Sequence, residues 1–211
     1  YNDVDLTLAG AALKDALASK IIATHTTTLE YTSGGPDVWD ATKSTDENVA
    51  NTSEVILYYG WENGNDQDIT NDISRSKNLQ DNGSGADFVW NREHVFPKSL
   101  ANPILDTSIP GPATDAHHLR AADRGRNSAR NNRKYGRGSG NSNYSSLDFH
   151  EGLDGPNTAA WYPGDDWKGD AARMIMYMYM RYGAVCLPTA VGVGSKEFTE
   201  DDMIDLFLQW N

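Results

Sequence analysis

An acid and an imidazole stand side by side at Glu93-His94, and a carboxamide, Asn127, follows among arginines. An imidazole with an ordinary pKa near ~6.5 can take a proton from water at neutral pH. A carboxylate and a carboxamide oxygen are hard ligands of the kind Mg2+ accepts while it keeps several waters and a substrate phosphate. Brought to one point, the three would suit water activation beside a metal-held phosphate. Each has a plainer use when taken alone. A histidine in an apolar strand serves packing, and an Arg/Asn-rich helix is a solvated face. Zinc is a second metal to weigh, with His117 and His118 joining Glu93 and His94 as ligands. On a strand, however, His117 and His118 would face opposite ways, and no Cys or H-E-x-x-H spacing supports that set. Nor does any cluster of Cys and His suggest a structural metal site.

Four elements must position these groups. Asp87 to Phe96 reads as a strand that Pro97 ends, since proline has no N–H for a ladder. Neighbours in a strand point to opposite faces, so Glu93 and His94 need a strand end or bend to serve one site. Ala101 to Thr114, with three prolines and a glycine, is a loop. His117 to Ala121 is short enough for a returning strand, and Asp123 to Lys134 reads as a helix with Arg and Asn on its exposed faces.

The surrounding chain offers further elements. Apolar spacing predicts an amphipathic helix over Thr7 to Ile22, with Lys14, Asp15 and Lys20 facing water. Between Gly34 and Asn82 the chain is polar, broken by Val38-Trp39 and by a strand-like Val55 to Tyr59. Asp66, Asp68 and Asp72 lack the glycine and terminal glutamate of a calcium loop and read as solvated. The Gly/Ser/Asn tract from Gly136 to Ser146 reads as a flexible surface loop. Asp165 to Tyr182 is a helix with acids first, Arg181 last and Gly183 just beyond. Thr199-Glu200-Asp201-Asp202 resembles a capping box that opens a last helix through Trp210.

With 211 residues, 38% hydrophobic, the chain is long enough for one core, and a single domain over 1–211 is expected. Its net charge of −12 argues against nucleic acid held over the whole surface. A local basic site survives that argument. From His117 to Arg137 there are seven Lys or Arg against one acid, a charge of +6 that leaves −18 elsewhere. The one cysteine, Cys186, permits no intrachain disulfide and is expected to pack inside. No apolar run reaches bilayer length, so no membrane partner is expected. The chain begins at Tyr1 without an initiator Met, which fits either a mature secreted chain whose signal peptide is gone or a trimmed chain.

Three runs carry a resemblance. Asn91-Arg92-Glu93-His94-Val95-Phe96-Pro97-Lys98-Ser99, Asp115-Ala116-His117-His118-Leu119-Arg120-Ala121-Ala122 and Arg126-Asn127-Ser128-Ala129-Arg130-Asn131-Asn132-Arg133 occur in that order. They resemble the endonuclease I family of His-Me finger, or ββα-metal, nucleases. Tyr162 to Gly183 is similar to the helix that follows in that family. The resemblance implies an α+β fold with a ββα-metal core at about 87–135. It implies His94 as general base, Glu93 and Asn127 as ligands of one divalent metal, and Arg130 as the arginine along the same helix. The metal would be Mg2+, with Mn2+ or Ca2+ as substitutes.

The function so implied is secreted, sequence-nonspecific cleavage of DNA, and also of RNA, by a monomer, leaving 5′-phosphate and 3′-hydroxyl ends. The alternatives are an extracellular ribonuclease of the same superfamily and a non-catalytic nucleic-acid-binding module. Arg92, Arg120, Arg124, Arg126 and Arg130 are the candidates for phosphate contacts. Three departures stand out. Disulfides of periplasmic members are absent, Ala101 to Thr114 contains no Arg or Lys, and the chain has no Asn/Arg-rich tail after its last helix.

Overall fold

A computed structural model describes residues 1–64, 66–150, 158–199 and 201–211. Helices α1 (Gly10–Thr24) and α2 (Val38–Thr45) lead the chain. Three two-stranded antiparallel sheets follow: β1 (Glu54–Ile56) with β2 (Ser74–Ser76), β3 (Trp90–His94) with β4 (Leu119–Asp123), and β5 (Asn143–Phe149) with β6 (Ala159–Tyr162). Helix α3 (Arg124–Arg130) leaves β4 without a linker. Helices α4 (Lys168–Tyr182), α5 (Pro188–Val191) and α6 (Asp205–Trp210) complete the order.

The β3–β4 hairpin and α3 form the centre. In its register Glu93 lies opposite Arg120, His94 opposite Leu119 and Trp90 opposite Asp123. Both faces of this ribbon are covered, so its sequence does not alternate apolar with polar. Ala121 joins Trp90, Val55 and Leu57 in one apolar cluster. Its neighbour Ala122 joins the larger cluster of Tyr58, Tyr59, Phe96, Trp161, Ile175, Met178 and Phe207. Successive side chains on a strand face opposite ways, and two alanines let both clusters approach the ribbon closely.

Local chemistry fixes the ends. The Asp123 carboxylate accepts from Arg126 N (2.8 Å) at the start of α3 and from Arg75 Nη1 (2.6 Å) on β2. Asn131 (φ 52°) ends α3, and Gly183 (φ 54°) ends α4. Asp37 caps α2 in a capping box with Asp40.

Several elements depart from the sequence-based expectations. The first helix starts at Gly10, and Lys14 is drawn to Asp201 (3.1 Å) and Tyr179 rather than left to water. Val38-Trp39, read only as an apolar break in a polar stretch, opens α2. β1 stops at Ile56 because the chain turns through Tyr59 (φ 79°), although Leu57 to Tyr59 remain buried. Asp68 caps a short 3-10 turn and Asp72 pairs with Arg75, so these acids are partnered loop residues.

His117 and His118 belong to a 3-10 turn, Ala116–His118, that precedes β4. The α3 helix ends at Arg130. That arginine is buried, against the expected solvated face. In the Gly136 to Ser146 tract residues 137–141 lie exposed outside any strand, as a surface loop would, but the tract is closely packed at Gly136 and Gly138. A Cβ on Gly136 would fall 2.7 Å from Ala160 Cβ, and one on Gly138 only 2.4 Å from Tyr162 Cγ. These glycines admit close packing, and the tract runs into β5. The last helix begins at Asp205, six residues beyond Thr199, whose hydroxyl donates to Met203 O instead. Glu200 of the expected capping box lies outside the described residues. Cys186 is buried and free, as expected.

Candidate active site

The end of β3 and the face of α3 open onto one cleft of about 570 Å³, lined among others by Arg92, Glu93, His94, Lys98, Asn127 and Arg130. Pro97, Ile104 and Leu105 supply its apolar wall. Glu93 and His94 reach it together because the ladder stops at His94, as the proline suggested.

His94 is 8% exposed, and its Nε2 lies 2.8 Å from Ala113 O. A carbonyl only accepts, so Nε2 carries the hydrogen and Nδ1 keeps the lone pair. Burial, with the neighbouring His118, Lys98 and Arg92, pushes the imidazole well below its usual range. It is therefore neutral at pH 7. The Tyr31 ring sits 5.6 Å from it, tilted 30°.

Glu93 is 2% exposed. Arg130 Nη1 (3.1 Å) and Tyr59 OH (2.9 Å) both engage Oε1. Burial nonetheless holds the carboxyl above the usual carboxylate range, with Arg130 and Tyr59 only opposing it. A cation at Oε2 would relieve that penalty. Asn127 donates from Nδ2 to Asn91 Oδ1 (2.7 Å), which fixes its carboxamide and leaves Oδ1 available as an acceptor. An under-compensated carboxylate and an oriented carboxamide oxygen on one cleft thus fit a hard divalent cation.

The five candidate arginines have diverse placements. Arg92 and Arg130 line the cleft but are buried. Arg92 is hydrogen-bonded to Tyr31 O and Thr32 Oγ1, with its guanidinium 3.5 Å from the Tyr31 ring centroid and 3.8 Å from that of Trp39. Arg130 donates to His94 O (3.1 Å) and Val95 O (3.0 Å) besides pairing with Glu93. Arg120 is fixed to Asp46 (2.6 Å), Arg124 to Ala86 O (2.5 Å), and Arg126 to Thr70 and Ser142 O beside the Trp61 ring.

A second cluster contains the ligands His25, Asp115 and His117. Their ligand atoms lie within 4.8 Å of one another, so the triad can bind a divalent metal. This corrects the expectation that no histidine cluster would form, and it replaces the His117/His118/Glu93/His94 set, which does not assemble. Asp115 Oδ1 receives His117 Nδ1 (2.8 Å) and Oδ2 receives Tyr177 OH (2.8 Å) and Tyr182 OH (2.7 Å). Burial raises this carboxyl, but those hydrogen bonds win and hold it well below the usual range. Two imidazoles with one carboxylate suit a transition metal. Sequence reading missed His25, Tyr31, Tyr59 and Ala113 because each arrives from a distant segment. The only local signal was the histidine–aspartate proximity at Asp115 and His117.

A pair of antiparallel strands followed at once by a helix, with an imidazole, a carboxylate and a carboxamide oxygen on one cleft, is the arrangement of a ββα-metal, or His-Me finger, core. The chain belongs to the Endonuclease I family, whose model matches residues 9–211. It is 38% identical over 208 residues to an "Extracellular ribonuclease" of Bacillus amyloliquefaciens, covering 96% of this chain and 61% of that protein. To an "Extracellular ribonuclease" of Bacillus subtilis (strain 168) it is 41% identical over 187 residues, 86% of this chain and 55% of that protein. The chain therefore spans little more than half the length of these relatives. No solved structure matches it.

Proposed function

We propose that this chain is a secreted, metal-dependent nuclease that hydrolyses phosphodiester bonds, with RNA as its principal substrate. The observation that carries the reading is the neutral His94, donating from Nε2 to Ala113 O and lining one cleft with Glu93 and Asn127. The extracellular ribonucleases to which the chain is similar support RNA and export. Family membership supports the chemistry.

In this mechanism His94 Nδ1 takes a proton from a water aimed at phosphorus, while Ala113 O steadies the imidazolium that forms. Glu93 and Asn127 would hold the cation, of which Mg2+ is the first choice and Mn2+ or Ca2+ are substitutes. When bound, it supplies charge stabilisation to the phosphorane-like transition state and to the leaving 3′ oxygen. Arg130 opposes the burial that disfavours the charge on Glu93 and holds its carboxylate in place through the contact with Oε1. The leaving 3′ oxygen takes its proton from water, so the products would be 5′-phosphate and 3′-hydroxyl ends, and one copy of the chain would carry every protein group used.

Parallel digestion of single-stranded RNA, single-stranded DNA and plasmid DNA, with Mg2+ and with EDTA, tests this. RNA cleavage that EDTA abolishes, with 5′-phosphate ends, is the expected result. Equal or faster cleavage of DNA would make the substrate DNA. Binding without cleavage in any divalent metal would make the chain a binding module.

A further inference from the structure

Three cations line the cleft, Arg92, Lys98 and Arg130, and two of them are already held by protein. Arg130 neutralises Glu93 and is 1% exposed. Arg92 is 8% exposed, bonded to Tyr31 O and Thr32 and enclosed by two aromatic rings. Arg120, Arg124 and Arg126 do not line the cleft and are bound elsewhere. Lys98 differs. It is partly exposed, and among the described residues its ammonium has no hydrogen bond or ion pair. Its contact is the Tyr31 ring, whose centroid lies 5.9 Å from Nζ. Asp106 is close enough to feel its charge but forms no ion pair with it.

The backbone of Lys98 is fixed while its side chain is free. It opens a 3-10 turn, Lys98–Leu100, directly after Pro97. Its carbonyl accepts from both Ala101 N (3.3 Å) and Leu105 N (3.2 Å). The next residue, Ser99, receives Asn132 Nδ2 (3.1 Å) and so ties this turn to the end of α3. An anionic strand entering the cleft meets a carboxylate already matched by a guanidinium. The uncancelled positive charge at that opening is Lys98.

We propose that Lys98 binds a backbone phosphate of the nucleic acid substrate, through its non-bridging oxygens, at the rim of the cleft. The inference rests on the nuclease reading for its ligand class. A lysine in this role acts as a point charge that orders no base, consistent with a contact blind to sequence.

The test uses the whole chain and a fluorescent single-stranded RNA 12-mer in EDTA, so that binding is read without cleavage. Lys98→Met should raise Kd about tenfold and reduce the slope of log Kd against log salt by about 1. Lys98→Glu should weaken binding further, and Lys98→Arg should restore it. With Mg2+, the loss should fall on KM rather than on kcat. Unchanged affinity and slope in Lys98→Met, with unfolding like that of the parent chain, would overturn the proposal. So would a loss of kcat with affinity intact, which would assign Lys98 to positioning through Tyr31. A parent chain that binds RNA with the expected Lys98 dependence but cleaves nothing would sink the nuclease reading and leave the phosphate contact standing.

Discussion

Fixed to a carbonyl through its second nitrogen, His94 cannot exchange tautomers without breaking a 2.8 Å contact, so as the proposed base it would offer the same atom to every substrate. Its replacement by Ala should lower turnover about 10²–10⁴-fold, the usual range for a lost general base, with RNA affinity in EDTA nearly unchanged. Rates that match the parent chain would remove His94 from the chemistry. A neighbouring imidazole supplies a pH effect on stability. His118 is fully buried, its Nε2 donates to Pro112 O (2.9 Å), and its Nδ1 has no partner. Burial lowers it from 6.5 to about 4, against the pull of Asp115 and with the push of His117 and Arg130. The His94 ring 5.5 Å away adds no attraction for a proton. The unfolded chain therefore binds this proton more readily than the folded one between those two values. Stability is full above about 6.5 and falls as pH drops to about 4, by roughly 3 kcal/mol for that shift. Denaturant midpoints measured across that window should decline, and flat midpoints would show that another group compensates.

At the scale of elements, α3 has seven residues and would be marginal alone. Arg130 holds it to β3 by bonds to the carbonyls of His94 and Val95 and by the pair with Glu93. Arg130→Met would leave Glu93 buried without its counter-charge. A loss of about 3–5 kcal/mol is expected in chemical unfolding, the range for one partner removed from a buried pair. A loss below ~1 kcal/mol would mean the pair is solvated. This arginine marks the limit of what was legible. The order strand, loop, strand, helix could be read because Pro97 and the prolines after Asn102 punctuate it. The family resemblance, not helical spacing, brought Asn127 beside Glu93. Spacing could not show which arginine turns inward, because that depends on carbonyls left unpaired where another strand ends. Nor could it show that β1 stops at Ile56, since the left-handed turn at Tyr59 is carried by a residue that favours strands. Gly136 and Gly138 were misread because composition does not separate a flexible glycine from one pressed against Ala160 or a Tyr162 ring.

For the whole molecule, the +6 segment is less available than its composition suggests, because Arg120, Arg130 and Arg137 are paired with Asp46, Glu93 and Asp148. Attraction for a polyanion should then be short-ranged, within a Debye length of ~8 Å at physiological salt, while the acidic remainder repels it. Cleavage is expected to peak at appreciable ionic strength, where repulsion is screened before the few phosphate contacts weaken. Activity that only falls as NaCl rises from near zero, at saturating metal, would contradict this. The peak should move to lower salt when distant acids become Asn or Gln. The buried Cys186 gives this molecule one further property. Its thiol sits within the main apolar cluster, and burial, with Asp115, pushes it up to about 12. An alkylating reagent cannot reach it until the packing around α4 parts. With one cysteine in the sequence, the labelling rate is a stopwatch on that event. Run with and without divalent cation or RNA, it would time how far each ligand slows the breathing of the interior, with no dye or tag added to the chain.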